Sequence, residues 1–214
     1  MEPTVTTKTE PVVCLMLKAP RPGLVKTRIA RETGDAEAVL IYRRLVEFQM
    51  ARLPRDWRIE IQYAPADAGT EMRLWLGTES LYEPQAGGDL GDRMRAAMDA
   101  AFVRGAGRLI FLGGDCPYVD AEILGAAAAS LDGADVVLGP ATDGGYYLIG
   151  MTQPLPGLFQ NIDWGSGMVR RQTLRNAAGG GLRVAELREF EDVDSLSAWR
   201  RACRLTGVAT AEPG

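Results

Sequence analysis

From Val12 onward the chain alternates short apolar runs with longer stretches in which apolar positions recur every three to four residues. A short unbroken apolar run predicts a strand buried on both faces, and the three-to-four recurrence predicts a helix with one buried face. Residues 12–17 and 109–112 are such runs, and 58–63 alternates with Ile59, Ile61 and Tyr63 on one side. Further strands are predicted at 81–85, 134–138, 146–151 and 182–187. Helical spacing marks 35–53, with Asp35 as N-cap and Val39, Leu40, Ile41, Leu45, Val46 and Met50 as its apolar face. It also marks 89–103, where Leu90, Met94, Ala97, Met98, Ala101 and Phe102 align, as well as 70–76, 168–178 and 195–205. Asp120 is placed to cap one more helix through Leu131.

Repeated strand–helix units predict a largely parallel, mixed sheet with helices on both faces, a three-layer α/β/α sandwich. No internal repeat interrupts it, and no linker is long enough to separate domains. Residues 12–206 are therefore read as one domain, with 1–11 a flexible lead-in and 207–214 a flexible tail. The run 179–181 is a glycine turn between elements.

Composition narrows the chemistry. The 214 residues are 46% hydrophobic and 24% charged, as in an ordinary globular domain. A net charge of -4 and a pI near 5.1 give no basic field for nucleic acid. No apolar run approaches the roughly 20 residues of a membrane span, and the polar start lacks a signal-like apolar core, so a cytoplasmic protein is expected. The three cysteines are widely spaced and form no C-x-x-C pair. Most useful is the absence of histidine. Without imidazole, the Ser-His-Asp and Cys-His mechanisms and the zinc-protease motifs drop out. Carboxylates, Lys, Arg, backbone amides or an oxygen-held metal must do the work.

Asp115 follows the apolar run 109–112 and two glycines, at the carboxyl end of a predicted central strand, where open α/β sheets bind ligands. An acid there suits a divalent metal bridging to phosphate, and a turn-forming Asp is the plain alternative. After the first strand, Lys18, Pro22, Gly23, Lys26, Thr27 and Arg28 form a connection suited to an anion, although the spacing is neither a Walker A motif nor G-x-G-x-x-G. Gln85, with donor and acceptor, precedes a glycine-bearing turn to a helix and could read a base edge. Asp143, before Gly144, Gly145 and Tyr146, could act as base, position an acceptor or simply make an Asx turn. Trp164 could cover a ligand or cap the core. Asp192 and Asp194 offer a second metal ligand, and Asp194 could instead cap the last helix.

Several islands resemble a known family: Lys18-x-Pro20-x-Pro22-Gly23-x-Val25-Lys26-Thr27-Arg28, Gln85 with Asp89-Leu-Gly91-x-Arg93-Met94, and Gly114-Asp115-Cys116-Pro117. The run from Asp143 to Gly150 and Asp192-Val-Asp194-Ser195 complete the set. Together they are similar to the glycosyltransferase-A (GT-A) nucleotide-binding fold, and more closely to the radical-SAM/selenodomain-associated transferases, relatives of phospholactate guanylyltransferase. The resemblance implies a nucleotide-diphospho-sugar transferase fold. It also implies Lys26 and Arg28 on the nucleotide phosphates, Gln85 with the Gly91 region facing the base, Asp115 as principal metal ligand and Asp194 or Asp192 as a second. That family follows the tryptophan with two hydroxyl residues, whereas this chain has Trp164-Gly165-Ser166.

The expected activity is Mg²⁺- or Mn²⁺-dependent transfer from a nucleotide-activated donor to a small-molecule acceptor, glycosyl transfer from a sugar nucleotide being the leading form. Lys26, Asp115 and Asp143 are the expected catalytic groups. Lys18, Pro22, Gly23, Thr27, Arg28, Gln85, Gly91, Arg93 and Gly114 would serve the nucleotide, and Asp143, Gly144, Gly145, Tyr146 and Trp164 the acceptor. Nucleotidyl transfer from an NTP with release of pyrophosphate is the alternative, and a nucleotide-binding protein without turnover is a second. A phosphatase using Asp115 is weaker, because the first strand carries no acid. Assembly as a homodimer stays open.

Overall fold

The computed structural model describes residues 11–208. The termini expected to be lead-in and tail lie, as residues 1–10 and 209–214, outside the described residues. Pro11, expected in the lead-in, opens the first strand, and Val208, expected in the tail, is buried.

The chain runs β1 (Pro11–Lys18), α1 (Thr27–Thr33), α2 (Asp35–Met50), β2 (Arg58–Ala64), α3 (Gly69–Leu76), β3 (Leu81–Pro84), α4 (Leu90–Val103), β4 (Arg108–Gly113) and α5 (Ala121–Ser130). It continues through β5 (Val136–Pro140), β6 (Tyr146–Met151), α6 (Val169–Gly179), β7 (Val184–Glu186) and α7 (Leu196–Thr206). Among the described residues no helix is long and apolar enough to cross a membrane.

Three of the seven helices among the described residues start on a side-chain cap. Asp89 and Asp92 form a reciprocal capping box at α4, and Asp120 accepts from the Ile123 amide at α5. The expected cap at Asp35 is not made. Gly34, with φ of 87°, ends α1 and opens α2 in a single residue, so Asp35 is already inside the helix. At the last helix the cap is Ser195, whose hydroxyl accepts from the Ala198 amide. Asp194 is thereby released from capping.

All seven strands form one sheet in the order β3-β2-β1-β4-β6-β5-β7. β1 pairs in parallel with β2 and β4, and β5 with β7, whereas β6 runs antiparallel to β4 and β5. One face carries α2, α3 and α5 over a core of Leu15, Leu17, Ile61, Ile110 and Leu112. The other carries α4 and α6 over Cys14, Leu109, Phe111 and Ile149. A third cluster of Ile29, Ile41, Leu45, Val193, Trp199 and Ala202 clamps α7 to α1 and α2. The reversed β6 decides where the site lies. Its start at Tyr146 comes beside the carboxyl end of β4, two residues beyond the Leu112–Leu148 pair.

Candidate active site

Two neighbouring parallel strands, β1 and β4, end together, with Met16 paired to Gly113. Beyond β1, the chain turns through Gly23 (φ of 75°) to Lys26, a non-glycine residue held left-handed at φ 44° and ψ 44°. Such a conformation is costly for a side chain with a Cβ and persists where surrounding structure fixes it. It delivers the Lys26 ammonium inward, with its side chain 5% exposed, to 3.1 Å from Asp115 Oδ2 and 3.2 Å from Asp194 Oδ1. Burial alone would lower the pKa of this lysine, but attraction to Asp115 and Asp194 outweighs it and leaves the value raised. Arg28 Nη1 lies 3.4 Å from the second Asp194 oxygen on an exposed side chain.

Asp115 owes its position to two glycines. A Cβ on Gly114 would come within 2.6 Å of Leu17 Cδ2, so glycine lets the backbone pass there without displacing that buried side chain. The Asp115 carbonyl accepts from the Val193 amide at 2.9 Å, tying the segment before α7 to the end of β4. Asp192 sits beneath. Its Oδ1 is buried without a hydrogen-bond partner, and its carboxyl is pushed up to about 8 by burial first, then by the charges of Asp115 and Asp143, with Lys26 opposing. Burial likewise pushes the neighbouring Cys116 thiol up, which makes it a poor nucleophile. Tyr42 accepts from the Lys18 amide and donates to the Lys18 carbonyl, pinning the end of β1.

These groups floor a cleft of about 650 Å³ lined by Lys18, Gly23, Lys26, Thr27, Arg28, Gly114, Asp115, Tyr146 and Asp194, together with Met16, Tyr42 and Leu90. Nine residues singled out from sequence therefore meet in one place. Tyr42, Met16 and Leu90 carry no sequence mark beyond apolar character. For Tyr42 the available signal was a polar tip on the buried face of a helix, which needs a partner.

Others take structural positions away from the lining. Gln85 gives both amide hydrogens to backbone, Nε2 lying 3.0 Å from the Leu17 carbonyl and 2.9 Å from that of Gln62. Its Oε1 accepts from Arg93, which also donates to the Gly88 carbonyl. Gly91 faces the Phe159 carbonyl and the Trp164 indole so closely that a Cβ would meet them at 2.7 and 3.0 Å. Trp164 accordingly packs in the α4–α6 core. Asp143 Oδ1 accepts from the Gly145 amide at 2.8 Å, an Asx turn, and Gly144 is closed against the Gly167 carbonyl. Pro22 lies outside the lining.

Among the described residues, no three or more His, Cys, Asp or Glu side chains form a cation-holding group. The donor set nonetheless suits a hard divalent ion. Asp115 and Asp194 are half exposed and converge at the cleft floor on the Lys26 ammonium. Magnesium commonly takes one or two carboxylates and completes its shell with substrate phosphate and water.

Solved structures share this architecture. A Desulfovibrio desulfuricans G20 protein, provisionally described as a nucleotide-diphospho-sugar transferase, is 33% identical with a TM-score of 0.88, covering 96% of this chain and 92% of that one. A CMP:2-keto-3-deoxy-manno-octonic acid synthetase solved with CTP shares the fold at 9% identity and a TM-score of 0.58, over 93% of this chain and 99% of that one. Rv0371c of Mycobacterium tuberculosis H37Rv, solved with manganese, does so at 14% identity and a TM-score of 0.51, over 91% and 98%. No curated protein matches the chain. The fold is thus that of nucleotide-diphospho-sugar transferases and cytidylyltransferases. Residues 48–166 match the bacterial family described as uncharacterized protein conserved in bacteria (DUF2064), and the chain belongs to that family.

Proposed function

We propose that the cleft binds a nucleotide-activated donor through its phosphates and transfers the activated group to a small acceptor, glycosyl transfer from a sugar nucleotide being the leading form. The observation that carries this is Lys26, buried between Asp115 and Asp194 on the cleft floor with Lys18 and Arg28 in the same lining. Two carboxylates hold one ammonium in place, so it needs no reorganisation when negative charge arrives. The description of the 33% identical Desulfovibrio protein points the same way.

In glycosyl transfer the bond between the anomeric carbon and its phosphate oxygen breaks, and the acceptor oxygen takes that carbon. Negative charge then grows on the departing diphosphate. Lys26 and Arg28 face it and stabilise it. Asp115, with Asp194 or Asp192 as a second ligand, would hold a Mg²⁺ or Mn²⁺ ion, whose chemistry there would be to neutralise phosphate charge. Asp143 lies outside the cleft lining but within electrostatic reach of Asp192, and the Oδ2 that its Asx turn leaves over is the carboxylate oxygen suited to take the acceptor proton.

A second reading, nucleotidyl transfer with release of pyrophosphate, is favoured by the three cations Lys18, Lys26 and Arg28 on one wall, enough for a triphosphate. The fold shared with the synthetase solved with CTP agrees with the same reading. Incubation with NTPs and with sugar nucleotides separates the two: nucleoside diphosphate released marks the first and pyrophosphate the second. Asp115→Ala should abolish metal-dependent nucleotide binding while leaving the melting temperature within a few degrees. Retained binding in that variant would remove Asp115 from the site.

A further inference from the structure

Where β1 and β4 end, the cleft continues into a smaller recess of about 100 Å³ between β4, β6 and the start of α4. Met16, Leu90, Gly113 and Tyr146 line both spaces, so the two communicate. Deeper in, the recess is bounded by Met94 and Phe111, and no charged side chain enters its lining. The Tyr146 hydroxyl is buried beside Thr173 rather than offered to the cleft. Behind the walls Phe111 meets Phe159 edge-on at 6.3 Å, which fixes the ring that forms the floor.

We infer that this recess receives a short aliphatic group of the acceptor. The inference rests on reading the wall of Lys18, Lys26 and Arg28 as the phosphate side, which leaves the β4–β6 wall for the other substrate. Its size sets the class. A volume of 100 Å³ is about that of three waters in the liquid, below the roughly 150 Å³ engineered cavity that admits benzene. A propyl or isobutyl group fits, and a nucleobase or sugar ring does not. A recess with carbon and sulfur walls offers a hydroxylated ring no hydrogen bonds, so entry of a sugar there would strand its polar groups. The acceptor is therefore a small molecule with a polar, reacting end at Asp115 and a branched or unbranched tail of three to four carbons.

Monoalkyl phosphates test this, because they combine a head for the cationic wall with a tail of chosen length. With methionine methyls labelled by carbon-13, isobutyl phosphate should shift the Met16 and Met94 resonances and bind at least about tenfold more tightly than inorganic phosphate, each buried methylene adding about fourfold. Hexyl phosphate should gain nothing over isobutyl. Met94→Phe, filling the recess from its wall, should erase the alkyl advantage while inorganic phosphate still binds. Leu90→Phe at the rim should erase it too, and serves if the first variant folds poorly. Equal affinity for alkyl and inorganic phosphate, unshifted Met16 and Met94 resonances, or affinity that climbs steadily with chain length would each overturn the inference. Nucleotide binding without an alkyl advantage would sink the recess and spare the donor reading. An alkyl advantage without nucleotide binding would do the reverse.

Discussion

Lys26 concentrates what the site asks of a single residue. Its backbone is held left-handed, and its ammonium is buried between two carboxylates. Lys26→Ala should weaken nucleotides progressively as phosphates are added, from nucleoside to triphosphate, in calorimetric titration. A uniform loss would take the lysine off the phosphates. Lys26→Gly removes the same charge but suits the left-handed backbone, so it should exceed Lys26→Ala in stability by about 1 kcal/mol in urea denaturation. Asp192 gives a pH signature. With its folded pKa raised to about 8, its proton is retained after the unfolded chain has lost its own, and the folded state is favoured most at low pH. Stability from this group is therefore full below pH about 4 and declines as pH rises toward 8. In chelating buffer, Asp192→Asn should lack that decline, so its advantage over the native chain should widen across that same pH window in denaturant titrations. Single residues such as Asp115 and Lys26 were legible in the sequence because a lone acid after a buried strand, or cations after a glycine, has few structural uses. Gln85 was less so. A glutamine beside glycines reads as a ligand contact, yet its amide staples β1 to β2, a role set by strand pairing that no local pattern encodes.

At the scale of elements, apolar spacing located nearly every strand and helix, because burial on one or two faces is written directly into the period. The reversal of β6 was not written there. A strand buried on both faces looks the same in either direction, and only the short polar connection from β5, with its Asx turn at Asp143, betrays a hairpin. The caps show the same division. Asp120 caps α5 as expected, while the one-residue junction at Gly34 displaced the expected cap at Asp35, since a glycine with positive φ can end one helix and begin the next. Asp89 belongs to this scale. If it serves α4 alone, Asp89→Ala should cost about 1 kcal/mol in thermal or urea unfolding and leave nucleotide affinity unchanged. A large loss of affinity would return that loop to the site.

For the whole molecule, the three-layer sheet places the ends of β1, β4 and β6 at one edge, and from there the cleft follows without special pleading. Absence of histidine, visible in composition alone, had already confined the chemistry to oxygen, nitrogen cations and metal. What composition could not foretell is how far apart in the chain the partners are. Lys26 and Asp194 meet across 168 residues, and the segment matched to the family, 48–166, contains neither. Protein synthesis gives this contact an order in time. Until the last helix has left the ribosome and settled on the first two, Lys26 has lost one of its two counterions and the floor of the cleft lacks a wall. A nascent chain halted at residue 190 should gain no protease protection from nucleotide, whereas the released chain should. Newly made protein would then be unable to hold nucleotide until Asp194 and α7 have docked on the first two helices.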